Sequence, residues 1–265
     1  MGPSFDLYVP RRSWLHLLDP RTKLAFVGLV TALLLSFGHV VVILAFLAFM
    51  HLILLWAQIP TSRMRWAWGR MLPLSILIVL LWPLFDPLGS DVLLQVWRVR
   101  VTSESVLRGL STALRVDALA FAFFLLLFST DQARLVRGLV KVGLPYQWGL
   151  TLAIAMRYVP TFYGIYVAVT EAQQARGWIV GRGDFVKRLR SYLPVLVAVI
   201  ITALRMTDNL AMALAARGLG GRPTRTYFRE VHLGRADGVS MALLATLFVV
   251  MMVARLRYGF GVNPW

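Results

Sequence analysis

The sequence predicts an all-α, polytopic membrane protein, and composition is the first reason. Of 265 residues, 58% are hydrophobic and 15% are charged, and the mean hydropathy is +0.70. A chain of this kind has too little polar surface to cover a soluble globule of the same length. Apolar segments that approach the roughly 20 residues needed to cross a ~30 Å hydrocarbon core recur along the chain. We therefore expect about five transmembrane helices, together with long amphipathic helices on the cytoplasmic side.

The first two spans are predicted to form a hairpin. Asp19 is suited to cap the first helix, and Pro20 to occupy its first position, where a missing N–H costs nothing. The chain is apolar from Leu24 to Phe37, and Gly38-His39 interrupts it. A second apolar segment, Val40 to Ala57, follows at once. The short interruption leaves room only for a tight turn between two helices.

A polar loop separates the third and fourth spans. The third runs from Met71 to about Phe85, and residues 86–89, Asp-Pro-Leu-Gly, are expected to end it. Val96 to Thr102 alternates apolar and charged residues, which predicts a short extended or hairpin element outside the bilayer. A fourth span runs from about Ser105 to Phe128, with Ser103 as a candidate N-cap.

Residues 129–238 have a different character, because their apolar runs are interleaved with Arg, Lys, Gln and Glu. We interpret them as long amphipathic helices and not as simple spans. One candidate helix runs from about Tyr146 to Arg176 and another from about Phe185 to Arg217, and a last span follows from Val239 to Ala254. The predicted organisation is a four-span amino-terminal region (1–128), a cytoplasmic-facing helical region (129–238), and a last transmembrane helix with the carboxyl end (239–265).

The net charge of +16 is distributed unevenly along the chain. The amino terminus, the 58–70 connector and the 129–238 segment together carry 22 Lys and Arg residues, whereas the loops and the carboxyl end assigned to the opposite side carry four. This asymmetry matches the positive-inside rule and places the 129–238 segment in the cytoplasm. The basic charge therefore needs no nucleic-acid partner, and the bilayer is the expected environment.

The tripeptide Ala-Arg-Gly occurs twice, as residues 175–177 and 216–218, at the ends of the two candidate cytoplasmic helices. Gly177 and Gly218 suit the left-handed position that ends a helix, and arginine in the last turn complements the helix dipole. That is a sufficient structural explanation for either copy. Two matched copies also suggest a pair of anchors, since the planar guanidinium is the preferred partner of a carboxylate. Both explanations stay open at this stage.

Catalytic and metal-binding patterns are missing from the sequence. It contains no cysteine and no G-x-x-x-x-G-K-[ST] phosphate loop, and its four histidines have no ligand spacing. We expect His51 to serve interhelical hydrogen bonding or packing. Arg115 and Asp117 lie within the fourth helix, two residues apart, so we expect separate interhelical contacts or snorkelling. Pro160 and Pro194 are expected to kink the helices they interrupt. No cofactor and no catalytic residue is predicted.

Five blocks of sequence, in order, resemble the transmembrane, or T, component of energy-coupling factor transporters. These importers take up vitamins and transition-metal ions and belong to the ATP-binding cassette class. The blocks are Leu18–Leu24, Thr130-Asp131-Gln132 followed by Gly143-Leu144-Pro145, Met156–Pro160, Glu171–Gly177, and the second Ala-Arg-Gly.

The resemblance implies a non-enzymatic scaffold in a prokaryotic cell membrane. Its partners would be two cytoplasmic ATPase subunits and a separate substrate-binding (S) membrane subunit. The residues implied in ATPase coupling are Ala175, Arg176, Gly177, Ala216, Arg217 and Gly218. Secondary structural or coupling candidates are Arg157, Pro160, Glu171 and Pro194.

Two other functions are open to a polytopic membrane protein. A membrane-embedded enzyme acting on lipid or prenyl substrates needs paired Asp-rich motifs or a clustered acid–base set, and the sequence has neither. A secondary transporter should contain inverted repeats and discontinuous midplane helices, and the spans show no such duplication. The scaffold is therefore the preferred interpretation.

Overall fold

The computed structural model describes residues 7–11, 13–85, 92–96, 99–178, 181, 184–219 and 234–259. These ranges hold ten helices and one two-stranded hairpin. In chain order they are α1 (Trp14–Leu17), α2 (Pro20–Ser36), α3 (Val40–Trp56), α4 (Thr61–Phe85), β1 (Val92–Val96), β2 (Val99–Thr102), α5 (Ser103–Ser129), α6 (Gln132–Val142), α7 (Tyr146–Ala175), α8 (Phe185–Ser191), α9 (Leu193–Ala216) and α10 (Arg235–Tyr258).

The chain divides into two compact units. Unit 1 comprises residues 1–145 and 231–265. Within it α5 packs against α2, α3 and α4, while α6 and α10 pack against α2. The centre is filled by large apolar side chains that are fully buried, which are Leu34, Ile43, Met50, Phe121 and Phe128. Unit 1 therefore has a hydrophobic core of its own.

Unit 2 comprises residues 146–230. Its described helices are α7, α8 and α9, with both α7 and α8 packed on α9. Only Gly149, Ser191 and Val195 are buried within these three helices. Most side chains of these three helices are therefore exposed, and few are buried.

Local capping follows the sequence closely. The Asp19 carboxylate accepts the Arg21 N–H at 2.9 Å, and Pro20 is the first residue of α2, as predicted. At the start of α5 the cap lies one residue before the predicted Ser103. The Thr102 hydroxyl accepts the Ser105 N–H at 3.2 Å, and the Ser105 hydroxyl accepts the Thr102 N–H at 3.1 Å. This reciprocal pair satisfies two backbone donors, which Ser103 could not do from inside the first turn.

The hairpin predicted before the fourth span is present. β1 and β2 pair antiparallel, with Gln95 opposite Arg100 and Val96 opposite Val99. The predicted turn at 86–89 and the side chains of Arg98 and Arg100 lie outside what is described.

Among the residues that the structure describes, five helical stretches are long and apolar enough to cross a membrane. The number agrees with the prediction of about five, but the set differs. The stretches are α4, α5, α7, the run from Phe185 to Ala216, and α10. Helices α2 and α3, the first two predicted spans, each have 17 residues. The two helical runs that were predicted to be cytoplasmic meet the length and hydropathy of a span because they have few charged residues in the middle. In α7, Arg157 is the only charged residue before Glu171.

Two boundaries differ from expectation. Helix α4 begins at Thr61, ten residues before the predicted Met71, so it includes most of the basic connector. Pro194 is the second residue of α9 and does not kink a helix from within. Its ring lacks an N–H and would clash with the Arg190 carbonyl in a continuous helix, so α8 ends at Ser191. In contrast, α7 continues through Pro160.

Candidate functional site

The first Ala-Arg-Gly forms the end of α7. Gly177 has φ +83°, and its N–H donates to the Gln174 carbonyl at 2.9 Å. The Trp178 N–H donates to the Gln173 carbonyl, also at 2.9 Å. This pair of bonds is a Schellman motif, which satisfies carbonyls that the helix leaves without partners.

The second copy ends α9 with the same geometry. Gly218 has φ +73°, and its N–H donates to the Ala215 carbonyl at 2.9 Å. The Leu219 N–H donates to the Leu214 carbonyl at 2.9 Å. A Cβ at Gly177 or Gly218 would meet nothing within 4 Å, so the positive φ is what requires glycine. The predicted glycine caps are confirmed, and both arginines occupy the same place in the motif.

The two arginine side chains are exposed. Within the described part of the chain, neither the Arg176 nor the Arg217 guanidinium makes a hydrogen bond or an ion pair. The backbone closes each helix through glycine alone, so no guanidinium contact is needed for the cap. Both cations therefore remain available for a partner.

A set of hydrogen bonds holds the first motif beside α8. The Trp178 indole N–H donates to the Ser191 carbonyl at 2.9 Å, and the Gly181 N–H donates to the Ser191 hydroxyl at 2.9 Å. The same hydroxyl donates to the Arg188 carbonyl at 2.7 Å. Ser191 is 8% exposed, so these bonds are partly shielded from water. We call this set, formed by Trp178, Gly181, Arg188 and Ser191, the serine clasp.

The clasp places the first arginine near the start of α9, and the second lies at the end of that helix. It ties Trp178, which follows the first motif, to Ser191, two residues before α9 begins, whereas Arg217 lies at the other end of that helix. At 1.5 Å per residue, the 24 residues of α9 span about 36 Å. The two cations thus lie toward opposite ends of α9 and cannot meet one carboxylate together.

A second polar assembly lies in unit 1, around the start of α2. Asp237 accepts the Asp19 N–H at 2.7 Å, the Thr22 hydroxyl at 3.1 Å and the Gly234 N–H at 2.9 Å. The Lys23 ammonium donates to the Ser129 carbonyl at 2.9 Å and to the Thr130 hydroxyl at 3.0 Å. The side chains involved are all at most 4% exposed. We call these residues, Asp19, Thr22, Lys23, Ser129, Thr130 and Asp237, the α2 cluster.

Sequence reasoning missed this assembly. Lys23 and Thr130 fell within the blocks that carried the resemblance, but Asp237 was not singled out. The sequence does contain a signal for it, because Asp237 is an ionisable residue next to a long apolar run, and such a residue is expected to have a buried partner.

Comparison with known proteins shows the family to which the chain belongs. The family model described as CbiQ, cobalt transport protein, matches residues 11–228. The chain belongs to this family. Curated relatives include the energy-coupling factor transporter transmembrane protein EcfT of Lactococcus lactis, 26% identical over 93% of this chain and 95% of the relative. The EcfT proteins of Acidaminococcus fermentans and Listeria innocua are each 29% identical, covering 95% and 91% of this chain and 96% and 93% of those relatives.

The predicted resemblance to the T component of energy-coupling factor transporters is therefore confirmed. This member of the CbiQ family is a multi-pass cell-membrane protein and the membrane component of a multi-subunit transporter.

The secondary candidates of this CbiQ member do not join the arginines in one cluster. Arg157, Pro160 and Glu171 are exposed on α7, and Pro194 is half-buried. Arg157 lies 19 positions before Arg176, about 28 Å along the helix. Glu171 is five positions before it, which places it on a different face.

The intramembrane ionisable residues make separate contacts, as expected. Arg115 donates to the Phe37 carbonyl at 3.0 Å, while Asp117 accepts the Ser75 hydroxyl at 2.7 Å. His51 accepts the Trp68 indole N–H at 2.9 Å, which confirms its interhelical role. No cluster of three potential metal ligands occurs among the residues described, which exclude His232.

Proposed function

We propose that the chain is the energy-coupling scaffold of a vitamin or transition-metal-ion importer. In this proposal Arg176 and Arg217 dock onto two cytoplasmic ATPase subunits, and unit 1 engages a separate substrate-binding membrane subunit. The observation that carries the proposal is the pair of helix ends with matching backbone geometry, each presenting an arginine that has no hydrogen-bond or ion-pair partner among the residues described. The names of the relatives support the same class of transporter.

The distance between the arginines supports two acceptors. About 36 Å of helix separates the ends of α9, so each cation would meet its own carboxylate on its own ATPase. If each pair is buried on assembly, removing the arginine leaves a desolvated carboxylate, at a cost of about 3–5 kcal/mol. That cost weakens each contact by roughly two to four powers of ten.

The scaffold is proposed to be non-catalytic. With no phosphate loop in its sequence, it would obtain ATP-driven motion from its partners. The purified chain alone should therefore hydrolyse no ATP, and hydrolysis should accompany the co-purifying subunits. Robust hydrolysis by the isolated chain would contradict the scaffold function.

Tagged wild-type chain, purified in mild detergent, provides the main test. We expect it to retain two ATPase chains, Arg176→Ala or Arg217→Ala to weaken that association, and the double variant to lose it. Lysine keeps the charge without the bidentate fork, so Arg→Lys should be intermediate. Arg205→Ala, an exposed arginine within α9, is the matched control and should assemble normally. Full assembly of the double alanine variant would reduce the arginines to local cap residues.

The proposed orientation places residues 129–238 in the cytoplasm. Because the chain has no native cysteine, single cysteines report it directly. Lys187→Cys, in α8, should resist an impermeant thiol reagent in intact cells, and Val92→Cys, in the hairpin, should react. The reverse labelling pattern would overturn the orientation.

A further inference from the structure

Unit 2 is joined to unit 1 by two chain connections. The outgoing connection leaves α5, passes through α6 and reaches unit 2 after Pro145, while the returning one enters unit 1 at Val231 and leads into α10. Both connections pass residues of the α2 cluster within unit 1. A force applied to unit 2 must reach unit 1 along them or across noncovalent contacts.

The outgoing connection is held at its first residues. Lys23 donates to the Ser129 carbonyl and the Thr130 hydroxyl, which are the last residue of α5 and the residue after it. Helix α6 then packs on α2 so closely that a Cβ at Gly138 would lie 2.6 Å from the Pro20 Cβ. The chain from Ser129 to Gly138 is therefore fastened to the first turn of α2 at two points.

The returning connection is held by the same turn. Asp237, in the first turn of α10, accepts the Asp19 N–H and the Thr22 hydroxyl through one carboxylate oxygen. Its other oxygen accepts the Gly234 N–H, closing the start of α10. Asp237 is 4% exposed, so water cannot replace these bonds easily.

Charge couples the two sides. The carboxylates of Asp237 and Asp19 are the negative charges that act on Lys23, and Arg134 of α6 opposes them. A buried charge depends strongly on its partners, because losing one leaves the other desolvated. Displacement of Asp237 would therefore alter the environment of the ammonium that holds Ser129 and Thr130.

We propose that Thr22, Lys23 and Asp237 form a clamp that transmits displacement of unit 2 into α2 and α10. The proposal rests on the coupling function and assigns these three as positioning residues that touch neither substrate nor ATP. Because α2 and α10 pack on each other, a pull on either connection moves the pair together. If these three residues only stabilised unit 1, substituting them would affect folding and would leave transmission intact.

The test uses the complex of the full chain with its co-purifying ATPases in lipid nanodiscs. A spin label is placed at Leu204→Cys in α9 to report on unit 2, or at Leu256→Cys in α10 to report on unit 1; both side chains are exposed. Spectra are recorded with and without a non-hydrolysable ATP analogue. In the wild-type background we expect both labels to respond.

Thr22→Val is the principal variant, and Ser75→Ala is its control, because each removes a hydroxyl that donates to a buried aspartate of unit 1. Lys23→Met is the stronger variant. We expect Thr22→Val and Lys23→Met to keep the response at Leu204 and to lose it at Leu256, whereas Ser75→Ala keeps both. Thr22→Val keeps the test informative if Lys23→Met does not fold.

The outcomes separate the two proposals. A normal Leu256 response in Thr22→Val, or an equal loss in Ser75→Ala, overturns the clamp. A wild-type Leu256 label that stays silent while Leu204 responds also overturns it and leaves the coupling function standing. Silence of both labels in wild type, or failure to retain ATPases, counts against the coupling function itself.

Discussion

Units 1 and 2 contain helices of similar length, but among the long apolar helices described only one, in unit 1, is buried to a large extent. In α5, the central helix of unit 1, 44% of an apolar stretch of 18 residues is buried, whereas the figure is 0% in α7 and 6% in the run from Phe185 to Ala216. Unit 1 also has exposed helices, since α4 and α10 bury 6% and 0% of theirs. In unit 1 other helices pack around the central helix α5, whereas the described helices of unit 2 enclose no central helix.

This contrast indicates different sources of stability. Unit 1 gains packing energy from its own side chains, whereas unit 2 leaves Leu196, Ile200 and Leu204 about half exposed along one helix. Apolar surface of that extent on a helix must meet lipid or protein. Unit 2 therefore depends on lipid or on other proteins to cover its apolar surface, whereas unit 1 has a core of its own.

The largest expected effect tests this difference in packing. Phe121 is fully buried, with its ring centre 4.4 Å from that of His51 and 5.1 Å from that of Trp68. Phe121→Ala should lower the free energy of unfolding by about 3–5 kcal/mol, because a large cavity replaces these contacts. Leu204→Ala should change it by less than about 0.5 kcal/mol in the isolated chain. Thermal unfolding in detergent measures both, and equal losses would refute the contrast.

The serine clasp is the next target. Ser191→Ala removes the acceptor of the Gly181 N–H and one donor to the Arg188 carbonyl. Leaving such partly buried groups unsatisfied should cost about 1–3 kcal/mol and speed hydrogen–deuterium exchange at Gly181. Thr207→Ala is the control, since that exposed hydroxyl bonds only to the Ala203 carbonyl of its own helix. Unchanged exchange at Gly181 would show that the clasp contributes little.

A smaller effect is expected at the helix ends. Gly218 has φ +73°, so Gly218→Ala should cost about 1–2 kcal/mol and fray the last turn of α9. Gly164 lies inside α7 with open space around its Cβ position, and Gly164→Ala should stabilise that helix by about 1 kcal/mol. Circular dichroism measures the helicity of the two variants, and hydrogen–deuterium exchange at each substituted site shows which helix has changed. A stabilising Gly218→Ala would contradict the cap geometry.

The smallest effect concerns acid sensitivity of unit 1. Burial lowers the pKa of His16, and Lys23 and Arg134 lower it further, against a raising effect of the Val9 carbonyl. The unfolded chain therefore binds a proton before the folded one, and the stability contribution of neutral His16 is present above pH 6.5 and is lost as pH falls below it. The midpoint temperature of thermal unfolding should fall more steeply from pH 7 to 5 in the wild type than in His16→Gln. An equal fall in the two proteins would exclude His16 as the source of the acid sensitivity.

The sequence by itself determined most of the secondary structure and the nature of the candidate site. Asp19-Pro20 begins α2, and the glycines of both Ala-Arg-Gly copies end α7 and α9, because caps depend on chemistry within one turn. Composition and the recurrence of apolar runs were enough to predict a membrane protein. The two arginines were predicted to be equivalent, and both lie in the same helix-ending backbone geometry.

Only the tertiary structure decided which residues meet across the chain. Asp237 lies 218 positions after Asp19, whose N–H it accepts, and the Trp178 indole donates to the carbonyl of Ser191, 13 positions later. Such pairings depend on how helices pack, and no local pattern records them. Burial depends on packing in the same way. The sequence shows both the polar residues and the apolar stretches of α7 and α9, but only the structure shows that these stretches are almost unburied.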